Sequence, residues 1–129
     1  MIYLFDVDGT LTPAKSKIDR EFAKDFHNWQ KGKEVYIVSG GSFPRIVDQL
    51  GRKVVDQTRG VFSCMGNAHY KKIPNKDGYS SWTLEYENKF TVDKQALFFS
   101  ELERYVMNSE YHTKTGRHYE ERVGMVNFS

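Results

Sequence analysis

Ile2-Tyr3-Leu4-Phe5-Asp6-Val7-Asp8-Gly9-Thr10-Leu11-Thr12 opens the chain, and its reading decides the fold. The apolar run 2–5 has the character of a buried strand. It breaks into two aspartates two positions apart, followed by Gly9, Thr10 and Thr12. Burial accounts for the apolar run and leaves the aspartates unexplained. Side chains alternate along a strand, and a turn at Gly9 lets Asp6 and Asp8 converge at its C-terminal end. One carboxylate can attack a phosphorus atom while the second moves the proton. Both need Mg²⁺ nearby, because an anion must approach an anion. The competing reading is an Asp-rich turn that caps itself. That reading requires neither the second Thr nor the apolar run.

Outward from this stretch, residues 13–17 form a polar loop. Asp19 can cap a helix reaching to about Lys31, with Phe22, Phe26 and Trp29 on one face and Gly32 as its stop. Val35-Tyr36-Ile37-Val38 is a second apolar strand. Ser39-Gly40-Gly41-Ser42 follows, then Phe43-Pro44 opens a helix carrying Ile46, Val47 and Leu50, stopped at Gly51. Val61-Phe62 is a third strand. Strands alternating with helices predict an α/β fold, a Rossmann-like parallel sheet with helical crossovers.

The texture changes near residues 72–88. Strands are expected over 69–72 and 79–86, joined by the turn Pro74-Asn75-Lys76-Asp77-Gly78. A helix from about Asp93 to Met107 shows Leu97, Phe98, Leu102, Tyr105 and Val106 on one side, and its aromatic residues read as core. Two strands, 118–122 and 125–128, flank Val123-Gly124. Residues 1–80 are therefore assigned to the catalytic core and 81–129 to an inserted α+β cap.

With 19 basic and 17 acidic residues the formal charge is +2, a balance that argues against a nucleic-acid partner, which usually needs a one-sided basic surface. No apolar stretch approaches the ~18 residues of a membrane span. No signal peptide is recognisable. Cys64 is the single cysteine, so no internal disulfide can form, and it reads as a small buried residue rather than a nucleophile. A cytoplasmic protein is expected. His27, His69, His112 and His118 show no metal-ligand spacing.

Two further stretches carry chemistry. Ser39, Gly40 and Gly41 at a strand end before a helix offer a hydroxyl and bare backbone N–H groups, an anion cradle that Thr10 can join. Ser42 competes with Ser39 for this part, and a plain Ser-capped turn is the alternative. Arg122, in Glu120-Glu121-Arg122-Val123-Gly124-Met125-Val126-Asn127-Phe128-Ser129, carries a fork suited to two phosphate oxygens. Its alternative is a surface ion pair with Glu120 or Glu121. Lys114 and Arg117 lie near enough in sequence to assist it.

Asp6-Val7-Asp8-Gly9-Thr10-Leu11-Thr12 resembles the first motif of the haloacid dehalogenase superfamily, and Ser39 resembles the hydroxyl residue of its second. The 120–129 segment, the stretch Val38 to Gln49-Leu50-Gly51, and Val61-Phe62 with Gly66 and Tyr70-Lys71 resemble the phosphomannomutase branch. This resemblance implies an enzyme transferring a phosphoryl group on a sugar phosphate. Asp6 would be the nucleophile forming an aspartyl-phosphate and Asp8 the general acid/base. Mg²⁺ would be held by Asp6 and Asp8, and Arg122 would anchor the distal phosphate. It also implies a homodimer through the cap. A sugar phosphatase of the same superfamily, and a non-catalytic remnant binding phosphosugars or a protein, are the alternatives. The Lys and the Gly-Asp-x-x-x-Asp metal loop that normally follow the cap have no counterpart here. The sequence is accordingly read as the front piece of a longer protein, lacking the C-terminal part of the core, or as a chain completed by a partner. The exact sugar, mutase against phosphatase, the oligomeric state and the organism are not legible.

Overall fold

A computed structural model of the chain describes residues 1–73, 80–110, 116 and 118–128. The turn expected at residues 74–78, together with His112, Lys114, Arg117 and Ser129, lies outside the described residues. The order of elements is β1 (Ile2–Asp6), α1 (Arg20–Gln30), β2 (Glu34–Val38), α2 (Phe43–Leu50), α3 (Arg52–Val55), β3 (Gly60–Ser63), β4 (Ala68–Ile73), β5 (Ser81–Glu87), α4 (Val92–Met107), β6 (Tyr119–Arg122) and β7 (Met125–Phe128). A 3₁₀ turn, Cys64–Gly66, joins β3 to β4.

The first five strands form one sheet in the order β1-β2-β3-β4-β5. β1, β2 and β3 run parallel, joined by α1 and by α2–α3, as the alternating pattern predicts. β4 and β5 add to it antiparallel, so the Rossmann-like sheet is mixed rather than wholly parallel. β5 falls within the span assigned from sequence to the cap, yet it is the fifth strand of the core sheet. The Trp82 ring of β5 lies tilted against Phe43 (5.3 Å) and its indole N–H donates to Asp56 Oδ1 at 2.9 Å, which ties the strand to α2 and the end of α3. An alternating strand carries no label for the sheet it will join.

Alternation along the strands sets the core. Val35, Ile37 and Val61 face α1–α3 and cluster with Phe26, Ile46, Leu50, Val54 and Val55, all buried. Tyr3 and Phe5 pack edge-on against Trp29 (5.0 and 5.6 Å) on the same side. α2 ends at Gly51, whose φ of 80° breaks the helix. The short α3 that follows, not expected from the sequence, exists because Val54 and Val55 drop into the core.

α4 forms as the periodicity predicts, with Thr91 as its N-cap. Its aromatic face is not core, however. The helix buries no residue, and Phe98 and Tyr105 are 42% and 66% exposed. Its neighbour is the two-stranded β6–β7 ribbon, reached by Phe99 on Tyr119 at 4.9 Å and by Gln95 on Glu121. Such a ribbon offers too little surface to cover a helix face. No helix among the described residues is long and apolar enough to cross a membrane.

Candidate active site

Asp6 is the last residue of β1 and pairs in register with Val38, the last of β2. Ser39 therefore emerges beside Asp6 at the C-terminal edge of adjacent parallel strands, the edge where open α/β sheets bind ligands. The turn after Asp6 is built on one acceptor. The backbone N–H groups of Thr10, Leu11 and Thr12 all donate to Val7 O, at 3.2, 2.9 and 3.0 Å, and Gly9 N donates to Thr12 O at 2.7 Å. Val7, Leu11 and Thr12 are buried, while Asp6, Asp8 and Thr10 stay exposed.

The two carboxylates differ. Asp6 makes no side-chain hydrogen bond or ion pair and is open to a ligand. Asp8 Oδ1 accepts from Lys15 N at 2.8 Å and from Gln49 Nε2 at 2.8 Å. The expected convergence of the pair is thus not a shared hydrogen bond, since Asp8 turns toward the 13–18 loop and α2. The Lys15 N–H first, then the Gln49 amide, hold the Asp8 carboxyl below its ordinary value. Burial opposes this, and the Arg45 and Lys15 charges add to it.

The Ser39 loop is held by hydrogen bonds on both sides. Ser39 is 3% exposed, and its Oγ accepts from Gly41 N at 3.1 Å, which leaves its proton free to donate. Met65 N donates to Ser39 O and Cys64 N to Gly41 O, at 3.0 and 2.9 Å. Ser42, the competing hydroxyl, is the N-cap residue of α2 but makes no side-chain cap bond. Arg122 reaches over from β6. Its Nη1 donates to Gly40 O at 2.6 Å, while Nε and Nη2 grip Glu120 at 3.2 and 3.0 Å. The ion-pair alternative is therefore realised, and the same side chain also latches the β6–β7 hairpin to the core. Gly124 permits the close approach, for a Cβ there would stand 2.0 Å from Asn88 O.

Between core and hairpin lies a cleft of about 580 Å³ lined by Ser42, Arg45, Cys64, Lys89, Glu120 and Arg122 among others. Asp6 and Asp8 are not among its walls. Thr10, grouped with the phosphate holders from sequence, faces a separate apolar groove beside Phe22, Phe26 and Trp29.

No family model matches the chain. It is 30% identical over 129 residues to the phosphomannomutase of Spinacia oleracea, covering 100% of the chain and 50% of that protein. The phosphomannomutase of Saccharomyces cerevisiae is 30% identical over 128 residues, covering 99% of the chain and 48% of that protein. Phosphomannomutase 1 of Mus musculus is 37% identical over 73 residues, 55% of the chain and 28% of that protein. Among solved structures, a haloacid dehalogenase-like hydrolase from B. subtilis superposes with TM-score 0.62 at 20% identity, covering 81% of the chain and 34% of the hydrolase. Over its whole length the chain is similar to part of these phosphomannomutases, and its fold is similar to that of the haloacid dehalogenase-like hydrolase. It spans about half the length of the curated relatives it matches.

Three neighbours of the aspartates are not signalled by the sequence motifs. Gln49 and Lys15 hold Asp8, and Arg45 projects its charge toward it. Gln49 was within reach of sequence reasoning only as part of the Gln49-Leu50-Gly51 spacing. The donor set suits a hard, oxygen-seeking cation such as Mg²⁺, which takes one or two carboxylates and keeps its waters. Asp6 and Asp8 are the residues that would hold it. No group of three acidic, His or Cys side chains forms a fuller site among the described residues.

Proposed function

We propose that this chain carries the nucleophile half of a Mg²⁺-dependent phosphoryl-transfer site for sugar phosphates, of the phosphomannomutase type. The observation that carries the proposal is the register Asp6↔Val38, which brings a free carboxylate and the Ser39 hydroxyl to one strand edge. In this reading Asp6 attacks the phosphorus, forming an aspartyl-phosphate as the bond to the leaving oxygen breaks. Mg²⁺, when bound, offsets charge between carboxylate and phosphate. Ser39 donates its proton to a phosphoryl oxygen.

Asp8 moves the proton. Its hydrogen bonds keep it ionised at rest, which suits the half-reaction where it deprotonates the acceptor. An incoming phosphate dianion raises its proton affinity, which suits protonation of the leaving oxygen. Arg122 keeps two of its five N–H donors after Glu120 and Gly40 are served, and these would face the distal phosphate. A sugar phosphatase is the second reading. The exposure of Asp6 and Asp8 favours it, because water then reaches the phosphoryl group.

The test is phosphoryl transfer from a hexose bisphosphate by the protein and its Asp6→Asn variant, with products resolved as hexose phosphate or free phosphate. Asp6→Asn is expected to abolish both, since an amide is a poor nucleophile. Retention of the wild-type rate sinks the assignment. A wild-type chain that binds phosphosugar without turnover supports the binding remnant instead.

A further inference from the structure

Arg45 is a cation whose position has no structural explanation among the described residues. It lies in the first turn of α2, which contains no acidic residue. A positive charge there opposes the helix dipole. It is half-buried, so solvent does not fully relieve the cost. Three other cations near this end of the sheet are matched: Arg122 by Glu120 at 3.0 Å, Lys89 by Glu87 at 2.8 Å, and Lys17 by Asp48 at 3.1 Å. Arg45 has no ion pair or hydrogen bond of its own.

Its stem is nonetheless located. Cδ and Cγ lie 3.3 and 3.6 Å from where a Cβ on Gly41 would stand, and Ser39 Oγ lies 3.5 Å from the same point. The bare backbone of Gly41 thus lets the Arg45 stem and the Ser39 hydroxyl come together over one residue. From there Arg45 lines the cleft with Ser42 and Arg122. An unmatched guanidinium beside a donor hydroxyl, with a nucleophilic carboxylate on the next strand, is short of one thing: an anion with several oxygens.

We propose that Arg45 is a substrate-binding residue that takes the oxygens of the phosphoryl group presented to Ser39. It would supply positive charge at the strand edge that carries Asp6 and Ser39. The fork of Arg meets two phosphoryl oxygens at once, where Lys would act as a point charge. This proposal rests on the reading of Asp6 as phosphoryl acceptor, because that reading puts a phosphoryl group at this strand edge.

The experiment uses inorganic phosphate as probe. Thermal unfolding of the 129-residue chain is followed against phosphate concentration at constant ionic strength, with chloride as balance, for the wild type, Arg45→Met and Arg45→Lys. A ligand that binds only the folded state raises the midpoint in a saturable way. The wild type should show that rise. Arg45→Met should weaken the apparent affinity by about tenfold or more, the loss of one charged hydrogen-bonding partner. Arg45→Lys should keep part of it. Without phosphate, Arg45→Met should melt at the wild-type temperature or higher, because a cation has left a helix N-terminus. An unchanged phosphate response in Arg45→Met overturns the proposal, as does a wild type with no saturable response. A lower phosphate-free midpoint makes Arg45 a packing residue and also overturns it. Labelling with acetyl phosphate separates the two readings. A hydroxylamine-labile adduct on Asp6, with phosphate binding indifferent to Arg45, sinks this proposal alone. Arg45-dependent binding without any adduct sinks the acceptor role of Asp6 and leaves the anion site standing.

Discussion

Gln49 is a buried side chain, 4% exposed, whose Oε1 has no partner. Such an oxygen is costly inside a protein. It persists because the Nε2 of the same amide donates to Asp8 Oδ1 and to Ser16 O, at 2.8 and 3.2 Å, while Gln49 O accepts from Ile18 N at 2.8 Å. A flipped amide would set oxygen against carboxylate. Gln49→Met is therefore expected to lower stability by about 1.5–3 kcal/mol at neutral pH, the worth of a hydrogen bond to a charged group, measured by urea unfolding. The sign of the pH effect follows from Asp8's lowered carboxyl. The stabilisation is complete above the unfolded carboxyl value of about 3.9 and fades as pH falls through the lower folded value. The two proteins should converge in stability in acid; a constant gap would assign the loss to packing. Met65 makes the opposite case. It sits at φ 58° and ψ 30°, after Cys64 at φ 51°, and is 67% exposed. Asn tolerates this left-handed region better than Met. Met65→Asn should stabilise the chain by about 0.5–1 kcal/mol in the same assay. The Asp6–Asp8 pair and the Ser39-Gly40-Gly41 turn are each visible in the sequence because the members of each motif are neighbours along the chain. Gln49 and Asp8 are 41 positions apart, and a polar residue on a helix reads as a solvated one.

Elements were legible where their signals are local. α1 begins where Asp19 predicts, with Asp19 Oδ1 accepting from Glu21 N and Phe22 N at 3.0 and 2.9 Å. Two of the four orphan donors of that helix end are thus satisfied by one side chain. Asp19→Ala should cost about 1 kcal/mol and speed amide exchange in the first turn of α1 more than in α2. Equal exchange at the two helices would show that packing of Phe26 and Trp29, not the cap, sets the stability of α1. The non-local facts were illegible. Periodicity identified α4 as a helix but not what it would pack against. The strand pattern of β5 fits a cap ribbon and a core sheet equally, and Trp82 on Phe43 decides between them only in three dimensions.

At the scale of the whole molecule, α1–α3 fill one face of the sheet and leave the other open. Ile2 and Leu4 on that face are 66% and 59% exposed. Tyr36, Phe62, His69 and Tyr86 form a row across β2 to β5, with ring centroids 6.0, 4.2 and 5.7 Å apart. Parallel strands ordinarily have both faces covered. Among the described residues β1 is also an edge strand, paired with β2 alone. Its free side offers unpaired backbone groups beside apolar side chains, a template for another copy. β5, the other edge, carries Ser81, Thr83, Glu85 and Glu87 and is better protected. The 129-residue chain should therefore associate with itself through β1, with a sedimentation coefficient that rises with concentration. Leu4→Lys places a charge on the exposed side of that edge. It should hold the chain monomeric while shifting stability by no more than about 0.5 kcal/mol, as for other exposed positions. The control is Glu85→Lys on β5, which should leave association unchanged. If Glu85→Lys disperses the oligomer and Leu4→Lys does not, the contact runs through the opposite edge, and the open β1 side is not what holds the copies together.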